Sequence, residues 1–325
     1  MKAVPVKQLG GVASLHWFFV CFYVDMGGKS STAFGCRFST GVTGFFHFFT
    51  SSSISDGVRM TTMDDHRQFL TKVAVEAGAL LREKLHDRHT VQYKGEINLV
   101  TEADRLSETL IMERIRRSFP GHDILTEESP ETTNGSGFRW IIDPLDGTTN
   151  YAHGYPVFCV SIALEVAGDI RLGAVYNPML AELFTAEKGA GAFLNGSRIA
   201  VSLTADLSKG LLATGFPYDI REDRNNNMNY FMALAMNTQA VRRGGSAALD
   251  LAYVAAGRFD GFWELKLMPW DTAAGWLLVT EAGGVVTDLC GGPYGLRSPH
   301  ILAGNGIING EMLRILAKTD PLYIL

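Results

Sequence analysis

Two aspartates at the end of an apolar run are the residues best suited to chemistry in this sequence. Asp143 and Asp146 follow the apolar residues 140–142 and are separated by Pro144 and Leu145. Because proline disfavours a helical conformation in the residue before it, the chain should leave this strand extended. Two carboxylates with a backbone carbonyl between them are oxygen ligands of the kind that Mg²⁺ prefers. Taken alone, however, the motif is better explained as a strand followed by an aspartate-rich turn.

The two residues after these aspartates could hold an anion. Gly147 can close a turn, and the N–H groups of Gly147 and Thr148 would face a ligand if a helix begins here. The first N–H groups of a helix have no partner within it, so they attract phosphate and other anions.

Four other acidic residues stand at the ends of predicted elements. Asp104 and Asp271 lie near the starts of helices, where a capping aspartate stabilises a helix by ~1 kcal/mol. Glu127 follows a short apolar run, and Glu264 ends a predicted strand. Each of them alone has an ordinary explanation, as a helix cap or as a solvated surface acid.

Hydrophobic spacing predicts the elements that must position these residues. Apolar residues every three or four positions predict a helix over 69–85, and a second helix follows Thr101, which pairs with Asp104 in the manner of a capping box. Apolar and β-branched runs then predict strands, at 139–143, 157–166, 170–176, around Phe184 and at 193–194. After residue 205 strands and helices alternate, with helices at 246–256 and 271–282, strands at 259–264 and 285–288, and a terminal helix capped by Asn309. The pattern indicates a mixed α and β protein in two halves.

Composition and charge exclude several classes of protein. Of 325 residues, 46% are hydrophobic and 19% are charged, which is typical of a globular chain and not of a disordered one. The net charge of −5 gives no electrostatic reason to expect a nucleic-acid partner. The 4 cysteines form no Cys-x-x-Cys pair, which argues against a disulfide framework and a structural zinc site. No apolar run reaches the ~18 residues of a membrane span.

Residues 1–62 differ from the rest of the sequence, because they contain few acids and many aromatic residues without a clear period. Lys2 and Lys7 precede the apolar stretch 12–24, as in a secretory signal. His16 interrupts that stretch, and no small-residue cleavage site follows it in a suitable place. An extension outside the fold is therefore the better interpretation.

This difference predicts how the chain is divided. Met60 or Met63 would be the true start of the protein, and residues 1–62 would be an extension with a wrongly assigned start. An N-terminal α+β half over 63–205 would then carry the metal motifs. A C-terminal α/β half over 206–325 would complete the site.

Taken together, the acidic segments resemble the inositol monophosphatase family of Mg²⁺-dependent, lithium-sensitive phosphatases. Residues 143–151 resemble the first signature of the family, and residues 270–275, continuing to 283–284, resemble the second. Residues 94–104 and 127–129 stand where the family has its other site segments. Four motifs in the right order make the resemblance specific.

The resemblance covers residues 64 to about 320. It implies an α/β fold of the α+β sugar-phosphatase type, a layered α/β/α/β/α sandwich in two halves. It also implies a cytoplasmic homodimer that acts on a small phosphorylated polyol and has neither nucleic acid nor a membrane as partner. This chain departs from the family at Asn98, where many members have aspartate, and at Thr126, where glycine is frequent.

For the metal, the resemblance implies two Mg²⁺ ions. Glu127, Asp143 and the carbonyl of Leu145 would hold the first, and Asp143, Asp146 and Asp271 the second. A third, weaker ion at Glu127 is often part of the family arrangement. Clustered carboxylates repel each other until cations neutralise them, so such a site is filled by Mg²⁺.

For catalysis, the resemblance implies that Glu127 and Thr148 orient and activate a water molecule, with Asp104 accepting a hydrogen bond from Thr148. The water would attack phosphorus in line, without a phosphoenzyme. The N–H groups of Gly147 and Thr148 would hold the phosphate. Hydrogen bonds to the alcohol half of the substrate would come from three residues, Asp146, Ala247 and Glu264.

Carboxylates that accept hydrogen bonds from neighbouring hydroxyls favour a polyol, so we expect myo-inositol 1-phosphate as substrate. Three activities on the same scaffold stay open, namely those of fructose-1,6-bisphosphatase, histidinol-phosphatase and 3′(2′),5′-bisphosphate nucleotidase. Two hypotheses of other kinds are a binding or regulatory protein that has kept the fold without turnover, and a secreted enzyme.

Overall fold

The computed structural model describes residues 20–22, 33–35, 61–85, 91–93 and 99–320. Contacts divide the chain into two compact units, Met1–Arg59 and Met60–Leu325. In the first unit, strands β1 (Val20–Phe22) and β2 (Ala33–Gly35) form an antiparallel pair. Most of the predicted extension 1–62, and residues 94–98 with Asn98, lie outside the described residues. The predicted division of the chain at 62 and 205 stays a prediction.

The second unit contains helices and strands in alternating groups. Its described helices are α1 (Met63–Lys84), α2 (Glu102–Ser118), α3 (Thr148–Ala152), α4 (Met228–Ala235), α5 (Ala247–Ala255), α6 (Pro269–Glu281) and α7 (Gly306–Leu316). Its described strands are β3 (Val91–Tyr93), β4 (Leu99–Thr101), β5 (Asp123–Thr126), β6 (Phe138–Asp146), β7 (Cys159–Val166), β8 (Asp169–Asn177), β9 (Glu182–Glu187), β10 (Gly191–Leu194), β11 (Ser197–Arg198), β12 (Leu211–Thr214), β13 (Ala240–Arg242), β14 (Gly261–Leu265), β15 (Val285–Thr287) and β16 (His300–Gly304). No described helix is long and apolar enough to span a lipid bilayer.

Two mixed sheets organise these elements. The larger has seven strands in the order β11-β10-β9-β8-β7-β6-β5, and β5 runs parallel to β6 while the other neighbours are antiparallel. The smaller has five strands in the order β13-β12-β14-β16-β15, with parallel pairs on both sides of β12. A short antiparallel pair, β3 and β4, leads into α2.

Alternating side chains explain why helices cover these sheets. In β6, Trp140 and Ile142 pack in the cluster formed with α1 and α2, whereas Ile141 points to the opposite face and packs with α5 and α6. In β14, Phe262 packs with α5 and α6, whereas Trp263 packs with α7 on the far side. Helices therefore lie outside both sheets and between them, which confirms the predicted α/β/α/β/α sandwich.

One helix begins as the sequence predicts, and two begin at other residues than predicted. Thr101 and Asp104 form the predicted capping box, in which the Thr101 N–H donates to Asp104 Oδ2 at 2.9 Å. The prediction that Asn309 caps the terminal helix is wrong, because Asn305 accepts from the first free N–H groups and α7 begins four residues earlier. Asp271 is not the cap of α6, since Pro269 begins that helix.

Candidate active site

A cavity of about 470 Å³ opens where β6 and β14 end and α3 and α6 begin. The structure brings most of the predicted site residues together around it. Those that line the cavity are Glu127, Asp143, Leu145, Asp146, Gly147, Thr148, Glu264 and Asp271. Asp104 and Ala247 are buried and do not line it.

A β-bulge directs the two signature aspartates into the cavity. Strand β6 does not end at Asp143, as predicted, but continues to Asp146. Asp143 pairs with Ser161 and Asp146 with Cys159, so three steps along β6 face two steps along β7. A bulge bends its strand and redirects the side chains next to it. Both carboxylates and the carbonyl of Leu145 therefore lie at the same end of the larger sheet.

Each aspartate accepts hydrogen bonds from the backbone near it. Asp143 Oδ1 accepts from the Leu145 N–H at 3.0 Å, and Asp271 Oδ2 accepts from the Met268 N–H at 2.7 Å. Asp146 Oδ2 accepts from the Ser246 hydroxyl and from the Ala248 N–H, both at 2.7 Å. Contacts at the start of α5 thus tie the two halves of the site together through Asp146.

Burial and mutual repulsion oppose ionisation of these acids. Asp143 is only 2% exposed, and burial raises its pKa well above that of an ordinary aspartate. The negative charges of Glu127, Asp146 and Asp271 raise this pKa further. The pKa of Asp271 is also raised well above its ordinary value, by burial first and then by Asp146. A divalent cation among these carboxylates would relieve both effects.

The oxygen ligands around the cavity suit a hard cation, although their side chains do not lie close enough together to form a metal-binding group. Among the residues that the structure describes, no three Asp, Glu, His or Cys side chains already form a metal-binding group. Asp143, Asp146 and Asp271 each accept hydrogen bonds from backbone N–H groups instead. Four carboxylates and one carbonyl around a single cavity are nevertheless the oxygen ligands that Mg²⁺ requires.

These pKa shifts predict that the metal-free protein loses stability as the pH rises. Above the ordinary aspartate pKa near ~4, the folded state retains protons that the unfolded state has lost, so each further rise in pH lowers the free energy of unfolding until the raised pKa is passed. A Mg²⁺ concentration a hundredfold above the Kd at about pH 7.5 should restore about 2.7 kcal/mol there, and the same concentration should restore less at about pH 5, where protonated carboxyls bind the ion more weakly. Melting curves with EDTA and with Mg²⁺ at both pH values measure this, and equal Mg²⁺ effects at both would contradict it.

Thr148 and Asp104 form a buried pair beside the carboxylates. The Thr148 hydroxyl lies 3.0 Å from Asp104 Oδ1 and 3.0 Å from the carbonyl oxygen of Leu145, and its single proton can serve only one of these acceptors at a time. Asp104 is fully buried, and burial raises its pKa although hydrogen bonds from Thr101 and Thr148 partly offset the effect. The hydroxyl of Thr148 is thus held at the cavity wall with a lone pair free to accept a hydrogen bond.

Gly147 adopts a backbone conformation that other residues avoid. Its φ is 101°, and an added Cβ would lie 2.9 Å from the carbonyl oxygen of Val157 and 3.2 Å from Cα of Phe158. Glycine is required here for two reasons, the left-handed conformation and the close approach of the β7 entry.

Gly147→Ala is therefore expected to destabilise the protein by about 2 kcal/mol or more, since strain and a backbone clash act together. Gly154→Ala is the matched control, because Gly154 also has a positive φ, 68°, but no atom within 4 Å of an added Cβ. Urea unfolding of both variants measures the difference. Equal losses of stability would show that the clash at Gly147 relaxes freely.

Glu264 lines the cavity from β14, whereas Ala247 lies at the start of α5 and does not line the cavity. Glu264 ends β14 at 9% exposure, and burial raises its pKa well above the usual value, with smaller contributions from Asp250 and Asp146. An added Cβ at Gly215 would lie 2.1 Å from Glu264 Oε1, so the carboxylate packs directly against that backbone. Ala247 is the first residue of α5, beside the groups that bind Asp146.

The sequence did not reveal one wall of the cavity, which is formed by residues 216–219 and 266–268. Lys266 links these two segments, because its Nζ donates to Asp219 Oδ2 at 2.7 Å and to Asp223 Oδ2 at 2.5 Å. Tyr218 is 56% exposed, yet burial of its hydroxyl and the nearby carboxylates raise the pKa of the phenol. Tyr218 thus lines the cavity close to the acidic residues. The turn residues Gly215 and Pro217 after β12 were the available signal.

The layered fold and the acid-lined cavity are those of a phosphatase, of a family that is generally metal-dependent. The chain belongs to the inositol monophosphatase family, whose model matches residues 62–320. The inositol-1-monophosphatase of Synechocystis sp. is 48% identical over 258 residues, which is 79% of this chain and 90% of that protein. The Nus factor SuhB of Escherichia coli is 45% identical over 245 residues, 74% of this chain and 92% of that protein. The solved inositol monophosphatase from Anabaena (Nostoc) sp. superposes with a TM-score of 0.74 at 47% identity, covering 81% of this chain and 99% of that one.

Proposed function

We propose that this protein hydrolyses a phosphate monoester with Mg²⁺ as cofactor and that its substrate is myo-inositol 1-phosphate. The observation that carries the proposal is the gathering of Glu127, Asp143, Asp146 and Asp271 around one cavity. Buried acids with raised pKa values call for a cation, and the relatives named inositol-1-monophosphatase support the substrate.

The oxygen ligands around the cavity would accommodate two Mg²⁺ ions, and Glu127 would bind a third, weaker ion. Glu127, Asp143 and the carbonyl of Leu145 would hold one, and Asp143, Asp146 and Asp271 the other. When bound, Mg²⁺ supplies positive charge that clamps the phosphate oxygens, favours ionisation of water and stabilises the leaving alkoxide.

The protein's own groups would orient the reaction. The Thr148 hydroxyl donates to Asp104 and accepts a hydrogen bond from the attacking water, which Glu127 orients from the other side. The water oxygen forms a bond to phosphorus while the ester P–O bond breaks in line. The attacking water passes one proton to the Glu127 carboxylate, and the leaving alkoxide takes a proton from a second water molecule, whose hydroxide then recovers the proton from Glu127. The N–H groups of Gly147 and Thr148 would hold the phosphate.

The substrate alcohol would lie towards Glu264, Asp146 and Ala247. The carboxylates of Glu264, which is buried, and Asp146, which is partly buried, would accept hydrogen bonds from adjacent hydroxyls, which an inositol ring offers in fixed positions. A substrate without those hydroxyls would leave the acceptors unsatisfied, which disfavours it.

The test is phosphate release by the full chain on four esters, each with Mg²⁺, with EDTA and with added lithium. The esters are myo-inositol 1-phosphate, fructose 1,6-bisphosphate, histidinol phosphate and 3′-phosphoadenosine 5′-phosphate. We expect Mg²⁺-dependent release with the inositol ester preferred. A preference for another ester would identify that ester as the substrate and would leave the proposed metal site unchanged.

A second candidate function is regulatory. Relatives at 45% identity carry the name Nus factor SuhB, which supports a role in addition to turnover. If regulation is the main role, Asp143→Asn would abolish hydrolysis and leave the biological effect of the protein unchanged.

We also propose that the protein is cytoplasmic and forms a homodimer. Size-exclusion chromatography with light scattering tests the dimer.

A further inference from the structure

A buried glutamate outside the cavity contacts one of its segments from behind. Glu108 lies on α2, is 4% exposed and does not line the cavity. A buried carboxylate is unfavourable unless its oxygens accept hydrogen bonds. Its partners therefore show which contacts compensate its burial.

Three donors, all from the segment that carries Glu127, give hydrogen bonds to Glu108. Oε2 of Glu108 accepts from the Thr126 hydroxyl at 2.8 Å and from the Glu128 N–H at 3.0 Å. Oε1 accepts from the Ser129 hydroxyl. Hydrogen bonds to an ionised acceptor are stronger than those between neutral groups. One carboxylate thus holds the chain on both sides of Glu127, where β5 ends.

The same face of α2 holds two further parts of the site. Asp104 binds Thr148, Ser107 donates to the carbonyl oxygen of Pro144 at 2.8 Å, and Glu108 binds the segment around Glu127. Residues three and four positions apart lie on one side of a helix, so this spacing lets one rigid element contact both site segments, 126–129 and 144–148.

We propose that Glu108 is a positioning residue that sets the direction in which the Glu127 carboxylate enters the cavity. The inference rests on the proposed function, because only a Glu127 that binds metal and water needs a fixed direction. Groups behind metal ligands commonly change metal affinity or activity by about 10- to 100-fold when they are replaced. Glu108 holds the backbone that carries its ligand, so we expect an effect in the lower part of that range.

The experiment compares Glu108→Gln with wild type in the full chain. An amide keeps the size of the side chain but removes its negative charge, and its nitrogen in the place of Oε1 can no longer accept from the Ser129 hydroxyl. Mn²⁺ binding, followed by electron paramagnetic resonance without substrate, should weaken about 10-fold. Turnover should fall at low Mg²⁺ and recover largely at saturating Mg²⁺.

Two controls separate positioning from a loss of stability. Ile111→Val shortens a fully buried side chain on the same helix, so it lowers the melting temperature without touching the segment 126–129. Thr126→Ser keeps the hydroxyl that donates to Glu108, whereas Thr126→Val removes it at nearly constant size. We expect normal Mn²⁺ affinity in the first two variants and weakened affinity in the third.

The outcomes distinguish a failure of the proposed function from a failure of the positioning role of Glu108. A wild-type protein that binds no Mn²⁺ would overturn the proposed function and this inference with it. Wild-type affinity in a folded Glu108→Gln, with a lower melting temperature alone, would overturn the inference and leave the proposed function intact. If Glu108→Gln does not fold, Thr126→Val combined with Ser129→Ala replaces it, and the same two results decide.

Discussion

Asp143→Asn is expected to lower turnover by about 10³-fold or more while raising the melting temperature of the metal-free protein. Asp143 is the one side chain that the proposed metal site assigns to both ions, so its loss removes charge stabilisation worth several kcal/mol. Stability should rise because the buried carboxylate is surrounded by the negative charges of Glu127, Asp146 and Asp271. Asparagine can still accept the hydrogen bond from the Leu145 N–H through its Oδ1.

The measurement pairs phosphate release with thermal unfolding in EDTA. Asp288→Asn is the matched control, because Asp288 also accepts from an N–H two residues further on, that of Cys290, but does not line the cavity. It should leave turnover unchanged. Retained activity in Asp143→Asn, or a fall in stability without metal, would contradict the assignment of Asp143 as a shared ligand in a repulsive cluster.

Thr148→Val is expected to reduce kcat by about 10²- to 10³-fold, because the hydroxyl that accepts a hydrogen bond from the attacking water and so orients it is lost. Valine keeps the shape of threonine, so the buried start of α3 stays filled. The hydroxyl partner of Asp104 disappears, which leaves one oxygen of a fully buried carboxyl with fewer hydrogen bonds and lowers stability modestly.

Thr148→Ser is the matched control, since it retains the hydroxyl and should retain most of kcat. Steady-state kinetics of both variants at saturating Mg²⁺ separate the chemical step from metal binding. A Thr148→Val enzyme that turns over like Thr148→Ser would show that the hydroxyl does not take part, and water activation would then rest with Glu127 alone.

Local sequence patterns predicted a structural feature correctly where the residues that form it lie within a single helix or strand. The cap formed by Thr101 and Asp104 is predictable because both partners lie within one turn. The helix at the start of the fold was predicted from its apolar spacing, and α1 runs over Met63–Lys84. The terminal helix shows the limit, since Asn305 and Asn309 are both acceptable caps and only the following contacts distinguish them.

The layered architecture and the site depended on the family resemblance, because their contacts are distant in the chain. Glu264 and Asp143 are more than a hundred residues apart, and no periodicity places them at one cavity. The ion pairs of Lys266 and the contacts of Glu108 also join different elements, so neither could be predicted from spacing. The bulge in β6 was not predicted, because Pro144 suggested that the strand ends before it.

The central claim is that the acid-lined cavity hydrolyses a phosphate monoester with Mg²⁺. The most direct measurement is phosphate release from myo-inositol 1-phosphate by the full chain, with Mg²⁺ and with EDTA, alongside Mg²⁺ binding by calorimetry. We predict turnover with Mg²⁺, none with EDTA, and its loss in Asp143→Asn. Bound Mg²⁺ without release of phosphate from any of the four esters would contradict the claim and favour the regulatory role.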